Sequence, residues 1–196
     1  MKRCTTFLLL AGSIFLAACS SPSIHRESSP IAGLRDPSVH FLVDNTRTLP
    51  TSGSFDWGFV VFRVADLPEL NLADVDKRIH DALLGALTKK GFVKTDTGPD
   101  FLVSYALASG AGIDEATLNG AYDGAVHPPP SASGNPQQQL QYRRGTLIVD
   151  IAETKTKHLL WRGAIMADVD LSVSEDQKRL RTEGAIEELL KHYPKP

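Results

Sequence analysis

The stretch GTLIVDIAETKTKHLLWRGAIMADVDL, residues 145–171, decides the fold. Its first part places Leu147, Val149 and Ile151 on one face of an extended segment, because successive side chains of a strand point to opposite faces. A polar turn, ETKTK, separates this segment from a second one with the same alternation. The second apolar set is Leu159, Trp161, Ile165, Ala167, Val169 and Leu171. The stretch therefore predicts a long β-hairpin, whose other face carries Arg162, Asp168 and Asp170 and is partly exposed to water.

Two helices are predicted around this hairpin. Residues 71–92, NLADVDKRIHDALLGALTKKGF, have apolar residues every three or four positions, with Asn71 as the N-cap and Gly91 as the stop. The second helix begins near Ser174, which forms a capping box with Gln177, and Pro194 ends it. The expected buried stripes are Leu72, Val75, Ile79, Leu83 and Leu87 in the first helix, and Leu180, Ile186, Leu189, Leu190 and Tyr193 in the second.

Three further segments have strand composition: VHFLV from Val39, SFDWGFVVFRV at 54–64 and PDFLVSYALA at 99–108. The order of elements predicts an α+β domain, with a mostly antiparallel sheet of about four to five strands and two helices on one face. Residues 109–141 are rich in Gly, Pro and Gln. Such a long connection is usually disordered or functional, so this loop is either a disordered excursion or a lid or partner-binding segment.

The N-terminus has the pattern of a processing signal, with Lys2 and Arg3 followed by the apolar run TFLLLAGSIFLAA. Leu16-Ala17-Ala18-Cys19 resembles the lipobox of bacterial lipoproteins, although an ordinary signal peptide with a chance cysteine is the alternative. The resemblance implies cleavage before Cys19, acylation of this cysteine and, from Ser20, sorting to the outer membrane. We expect a cleaved signal peptide at 1–18, the lipidated Cys19 and a flexible tether over 19–38, and a single domain over 39–196.

Several stretches also resemble a known family: KKGF and GPDFLVSY, then RGTLIVDIAETKTKHLLWRGA, then HYP before the C-terminus. Together they are similar to the envelope lipoproteins grouped as domain of unknown function 4136, over roughly residues 39–194. The resemblance implies a fold and a location in the cell envelope. It implies no activity and no catalytic residues.

Composition and motifs limit the chemistry. The net charge of -2 disfavours a generic grip on nucleic acid, which needs a basic face. Both cysteines, Cys4 and Cys19, precede the domain, so it has no disulfide or thiolate chemistry. No HExxH, GxSxG or phosphate-binding loop occurs, and we expect no cofactor and no metal site. Asp168 and Asp170 share a strand face as a cation site would require, but the favoured interpretation is that they keep the open face of the sheet soluble.

Three arginines are the candidate contacts to an anionic partner: Arg143, Arg144 and, across the hairpin, Arg162. Ordinary solvent-facing charges at the start of a strand are the favoured interpretation of these arginines. Trp57 and Trp161 could stack on sugars, although their apolar surroundings favour core packing.

The sequence therefore predicts a non-enzymatic, outer-membrane-anchored lipoprotein with its domain facing the periplasm. Its partners would be the membrane, through acyl chains on Cys19, and an unknown envelope protein or glycan that the domain binds or scaffolds. The alternative is an envelope hydrolase with a site under the 109–141 loop, which a cluster of His, Asp and Ser in one pocket would favour.

Overall fold

The computed structural model describes residues 34–43, 47–64, 70–109 and 145–193. Three of the sequence-based predictions fall on other residues: the signal peptide with Cys19, the arginines Arg143 and Arg144, and nearly all of the 109–141 loop. These predictions lie outside the described residues.

Within these described ranges, six strands and two helices form an α+β domain. In chain order they are β1 Leu34–Val43, β2 Gly53–Arg63, α1 Leu72–Lys89, β3 Phe92–Lys94, β4 Phe101–Ala108, β5 Thr146–Glu153, β6 Leu159–Val169 and α2 Glu175–Lys191. The strands make one sheet in the order β1-β6-β5-β4-β2-β3. The predicted hairpin is β5 and β6, which lie near the middle of this sheet.

The sheet is mixed, and the prediction of a mostly antiparallel sheet of four to five strands is wrong in strand number and in direction at one edge. The pairs β1–β6, β5–β6 and β4–β5 are antiparallel. However, β2 is parallel to both β3 and β4. The reason is the connection through α1, because a helix that crosses over the sheet returns the chain in the direction in which it left.

The first strand begins at Leu34, which pairs with Val169, rather than near Val39. The pairing register shifts between Arg35 and Ser38. This shift spans Pro37, which has no backbone N–H to donate and therefore fits an irregular position of an edge strand. The residues just before Val39 thus belong to the sheet, although their composition resembles a tether.

Both helices begin at the predicted caps, and α1 also ends at the predicted glycine; α2 ends at Lys191, with His192 as its C-cap. The Asn71 side chain accepts a hydrogen bond from the Ala73 N–H at 3.1 Å, and Gly91 follows α1 with a φ of +89°. Ser174 and Gln177 form the reciprocal capping box of α2. These local signals act within a single turn of chain, which is why they could be predicted.

The helices lie side by side on one face of the sheet, as expected. Lys89 and Glu187 form an ion pair between them, with 2.7 Å between Nζ and Oε1. Trp161 and Leu189 are fully buried in the shared core. The other fully buried large side chains of this core are Phe55, Leu83, Leu87, Tyr105, Ile151, Ile186, Leu190 and Tyr193. The helix layer and the sheet thus form one continuous apolar interior.

Three residues of the predicted stripes lie elsewhere. Leu159 packs in a separate cluster with Ala152, because the register of β5 and β6 shifts between Ile151 and Ala152. Leu72 and Leu180 are exposed. Each precedes the first buried turn of its helix, and in α2 the inward position belongs to the neighbouring Arg181.

Candidate binding cavity

Arg162 does not lie where an anionic partner could reach it, which corrects both its predicted role and the prediction that this part of the hairpin is wet. Its side chain is 2% exposed. The Nε and one Nη donate to the two carboxylate oxygens of Asp150, each at 2.7 Å. The sequence pattern placed Arg162 correctly on the second face of β6, but it did not show that this face is buried at that point.

Asp168 is exposed near the end of β6, and Asp170 directly follows this strand. Asp170 is exposed, and its Oδ1 accepts from the Ser172 N–H at 2.9 Å and from the Ser172 hydroxyl at 2.6 Å. These bonds, helped by Arg35 and Arg181, lower the pKa of Asp170. Within the described ranges, no group of three or more His, Cys, Asp and Glu side chains could hold a metal ion.

A polar cluster lies where α1 crosses the parallel strands. The Tyr105 hydroxyl donates to the Asp76 carboxylate and lies 3.3 Å from the His80 Nδ1. Trp57 packs edge-on against the His80 ring, with 4.3 Å between ring centroids. Burial, and then the bond to Asp76, raises the pKa of Tyr105, so its hydroxyl keeps its proton. The cluster provides the hydrogen-bond partners of a buried tyrosine hydroxyl, and no serine belongs to it among the described residues.

One candidate site is a cavity of about 350 Å³ between the helices and one end of the sheet. Its position follows from the topology: β4 and β6 end there and β5 begins there, while the N-terminal halves of both helices cover it. The apolar walls are Leu34, Val64, Leu70, Val75, Ile79, Leu107, Leu147, Ile165, Ala167, Val169, Leu171 and Ala185. A cavity of this size is within the range that holds small-molecule ligands.

The polar lining of the cavity is mainly cationic. Arg78, Lys178 and Arg181 line it, while Asp170 is its one acidic lining residue among those described. Arg181 is 7% exposed, and its Nη1 donates to the Asp170 backbone carbonyl at 2.5 Å. Burial, followed by the nearby Arg78, lowers the pKa of Arg181, whereas Asp170 opposes that change.

The mouth of the cavity lies between the first turns of α1 and α2. Glu175 bridges two of the cations: 2.9 Å separate its Oε2 from the Arg78 Nη1, and 2.7 Å separate its Oε1 from the Lys178 Nζ. A smaller pocket of about 140 Å³ adjoins here and shares Arg78 and Lys178 with the main cavity. The side chains of Arg78 and Lys178 are 19% and 20% exposed, so the cationic end of the cavity reaches solvent.

Sequence reasoning missed this cavity and Arg181. One signal could have indicated it: Arg181 occupies the same helical face as Ala185 and Leu189, which follow at steps of four. A charged residue followed by a small one in an apolar stripe is unusual for a fully packed helix. In this helix, Arg181 and Ala185 line the cavity, whereas Leu189 packs in the core.

No helix in the described part of the chain is long and apolar enough to cross a membrane. A family model described as "Domain of unknown function (DUF4136)" matches residues 51–195. No curated protein matches the sequence significantly.

Two kinds of solved structure are similar to the chain. A PelC dodecamer from Paraburkholderia phytofirmans has a TM-score of 0.41 and 8% identity, covering 79% of this chain and 94% of the other. A PDZ domain protein from Parabacteroides distasonis has a TM-score of 0.32 and 13% identity, covering 71% of this chain and 33% of the other. Likenesses of this size carry no argument about function.

Proposed function

The chain belongs to the DUF4136 family, and from this premise we propose that it is a lipid-anchored envelope protein that binds a small envelope component without transforming it. The cavity between the helices and the sheet carries the proposal. It combines apolar walls with a few cationic groups at one end, which is the usual composition of a ligand-binding pocket.

The anchoring part of the proposal comes from the N-terminal sequence. Leu16-Ala17-Ala18-Cys19 follows an apolar run of signal-peptide length. Acylation of Cys19 would hold the domain at the outer membrane, because several acyl chains give stable anchoring where a single chain binds only marginally. A domain held there is close to amphiphilic molecules, which suits an apolar cavity.

Binding is favoured over the hydrolase alternative by what lines the cavity. Hydrolysis through a covalent intermediate needs a nucleophile activated by a base, and direct attack by water needs a general base. No histidine is among the described residues of the lining, and His80 lies with Tyr105 and Asp76 in the separate polar cluster. Arginine, lysine and apolar side chains are groups that hold a ligand.

The test is binding of a neutral apolar dye, phenylnaphthylamine, to the purified full chain. Ala185 lines the cavity, so Ala185→Phe should fill part of it and lower dye affinity severalfold. Leu180→Phe, on the exposed side of the same helix, is the matched control and should leave dye affinity unchanged.

Thermal unfolding would show that both variants fold. Equal dye binding by the wild type and a folded Ala185→Phe variant would contradict a role for the cavity. Turnover of an envelope ester or glycan by the full chain would contradict binding without transformation.

A further inference from the structure

Arg181 is a buried cation of the cavity lining with few hydrogen-bond partners. A guanidinium carries five N–H donors, yet in the described part of the chain its one acceptor is the Asp170 carbonyl. The side chain is nevertheless almost fully buried. Burying a charge is costly unless it is paired, and a single neutral carbonyl compensates little of that cost. The remaining donors are therefore available to an anion.

The neighbouring groups leave the main cavity with an excess of positive charge. Glu175 is already shared between Arg78 and Lys178. The Asp170 carboxylate accepts two hydrogen bonds from Ser172 and is exposed, so it does not form an ion pair with Arg181 in the described residues. Arg78 repels Arg181, and an anion placed between them would relieve this repulsion.

The rest of the cavity has the opposite character. Away from the cations, its walls are aliphatic side chains of the strand ends and of the two helices, including Val75, Leu147 and Ile165. Apolar surface of this kind favours a hydrocarbon by roughly 25 cal/mol for each Å² removed from water. The cavity is thus charged at one end and apolar along its length.

Building on the proposed binding function, we propose that the ligand is an anionic amphiphile with a single acyl chain. Its carboxylate or phosphate head accepts hydrogen bonds from Arg181, near Arg78 and Lys178, and its chain lies along the apolar walls. A volume of about 350 Å³ is at the lower end for ligand pockets, so one chain fits better than the two chains of a phospholipid.

The experiment compares four probes of equal chain length on the full chain: dodecanoate, dodecyl phosphate, dodecanol and dodecyltrimethylammonium. Displacement of the bound dye gives each affinity. The two anions should bind at least tenfold tighter than the alcohol, since a hydrogen bond to a charged group is stronger than one between neutral groups. The cation should bind more weakly than the alcohol. The stronger of the two anions identifies the head as a carboxylate or a phosphate.

Variants assign the preference to Arg181. Arg181→Gln should lower the affinity for both anions about tenfold or more while changing dodecanol affinity less than twofold, and Arg181→Lys should restore part of the anion affinity. Arg179→Gln, at an exposed position of the same helix, is the control and should change neither. If Arg181→Gln does not fold, the affinities of the Arg181→Lys variant and of the wild type for the four probes still test the proposal.

The outcomes separate the two proposals. Dodecanol binding equal to that of both anions, or tight binding of the cation, would overturn the anionic head but leave binding in the cavity standing. Failure of all four probes and of the dye would overturn the proposed function itself. An anion preference that survives in a folded Arg181→Gln variant would overturn the role of Arg181.

Discussion

Arg162 on β6 lies directly opposite Asp150 on β5, and its Nε and one Nη each donate to a different carboxylate oxygen at 2.7 Å. Both side chains are at most 3% exposed. The pair therefore crosslinks the two strands of the hairpin on the face away from the helices. Bidentate geometry and burial distinguish it from the surface ion pairs of the helices.

Breaking this pair should destabilise the fold strongly. Arg162→Met leaves the Asp150 carboxylate buried without its strongest partner, so we expect the free energy of unfolding to fall by about 3–5 kcal/mol. The Asp150→Leu and Arg162→Met double variant should lose less than the sum of the two single variants. Urea unfolding of the wild type, the two single variants Asp150→Leu and Arg162→Met, and the double variant measures this coupling. Strictly additive losses of stability would contradict it.

Gly163 should tolerate no side chain. A Cβ at this position would lie 2.3 Å from the Trp161 ring and 2.8 Å from the Leu189 side chain. Gly163→Ala should therefore lower the free energy of unfolding by about 1–3 kcal/mol through overpacking. Gly85→Ala is the matched control: nothing lies within 4 Å of its added Cβ, and the exposed helix position should gain up to about 1 kcal/mol. Equal effects at the two glycines would be the contrary result.

Truncating Trp161 should strongly lower the free energy of unfolding. It is fully buried, and Trp161→Ala should cost about 3–5 kcal/mol. Trp161→Phe should cost clearly less, because it keeps an aromatic ring and removes an Nε1 that has no hydrogen-bond partner among the described residues. Chemical denaturation measures both. A loss well under 1 kcal/mol for the alanine variant would mean that the ring does not hold the core together.

Protonation of Asp100 at low pH should lower the free energy of unfolding. Its Oδ2 accepts from the Ser54 hydroxyl at 2.6 Å and from the Ser54 N–H at 2.9 Å, and these bonds lower its pKa from the ordinary 3.8. The group binds protons more weakly in the folded chain, so its contribution is present above the unfolded pKa and is lost as pH falls through the folded pKa.

The wild type should therefore be more stable than Asp100→Asn at neutral pH, and the difference should shrink below pH 3.8. Urea unfolding at several pH values measures it. In a Ser54→Ala background the pH-dependent part should be smaller, because the hydroxyl bond is the largest cause of the lowered pKa. A difference that is the same at every pH would count against this assignment.

Cys19 should be the attachment point of the acyl chains. Cys19→Ala should accumulate as an unprocessed precursor and lose labelling by a fatty-acid probe in cells. Cys4→Ala is the control, because that cysteine lies within the expected signal sequence and its replacement should leave labelling intact. Undiminished labelling of Cys19→Ala would refute the anchoring proposal.

The parts of the fold that could be predicted depend on neighbouring residues. The Asn71 cap, the Ser174 and Gln177 box and the hairpin of β5 and β6 all follow from short patterns, and the structure confirms them. The parallel pairing of β2 could not be predicted from alternation, because alternation gives the faces of a strand and not its direction. The direction depends on α1, which brings the chain back across the sheet.

The site was harder to predict than the fold. The residue pattern placed Arg162 on the second face of β6, but only the three-dimensional structure shows that Asp150 lies opposite and that the pair is buried. Conversely, Arg181 was overlooked because an arginine on a helix is expected to face water. Its burial depends on the space between the strand ends and the roof of helices, which no local pattern records.

The pairing of β1 with β6 also sets an order of events during synthesis. Among the described strands, β1 is synthesised first and β6 last, and the two are paired in the sheet: Leu42 lies beside Arg162. When β1 has been synthesised, β6 has yet to be made, so this edge of the sheet is unpaired until then. An unpaired strand edge invites association with other chains. Once β6 has been synthesised, β1 can pair with its outer edge. This side of the sheet is therefore completed only when the C-terminal part of the chain is being made.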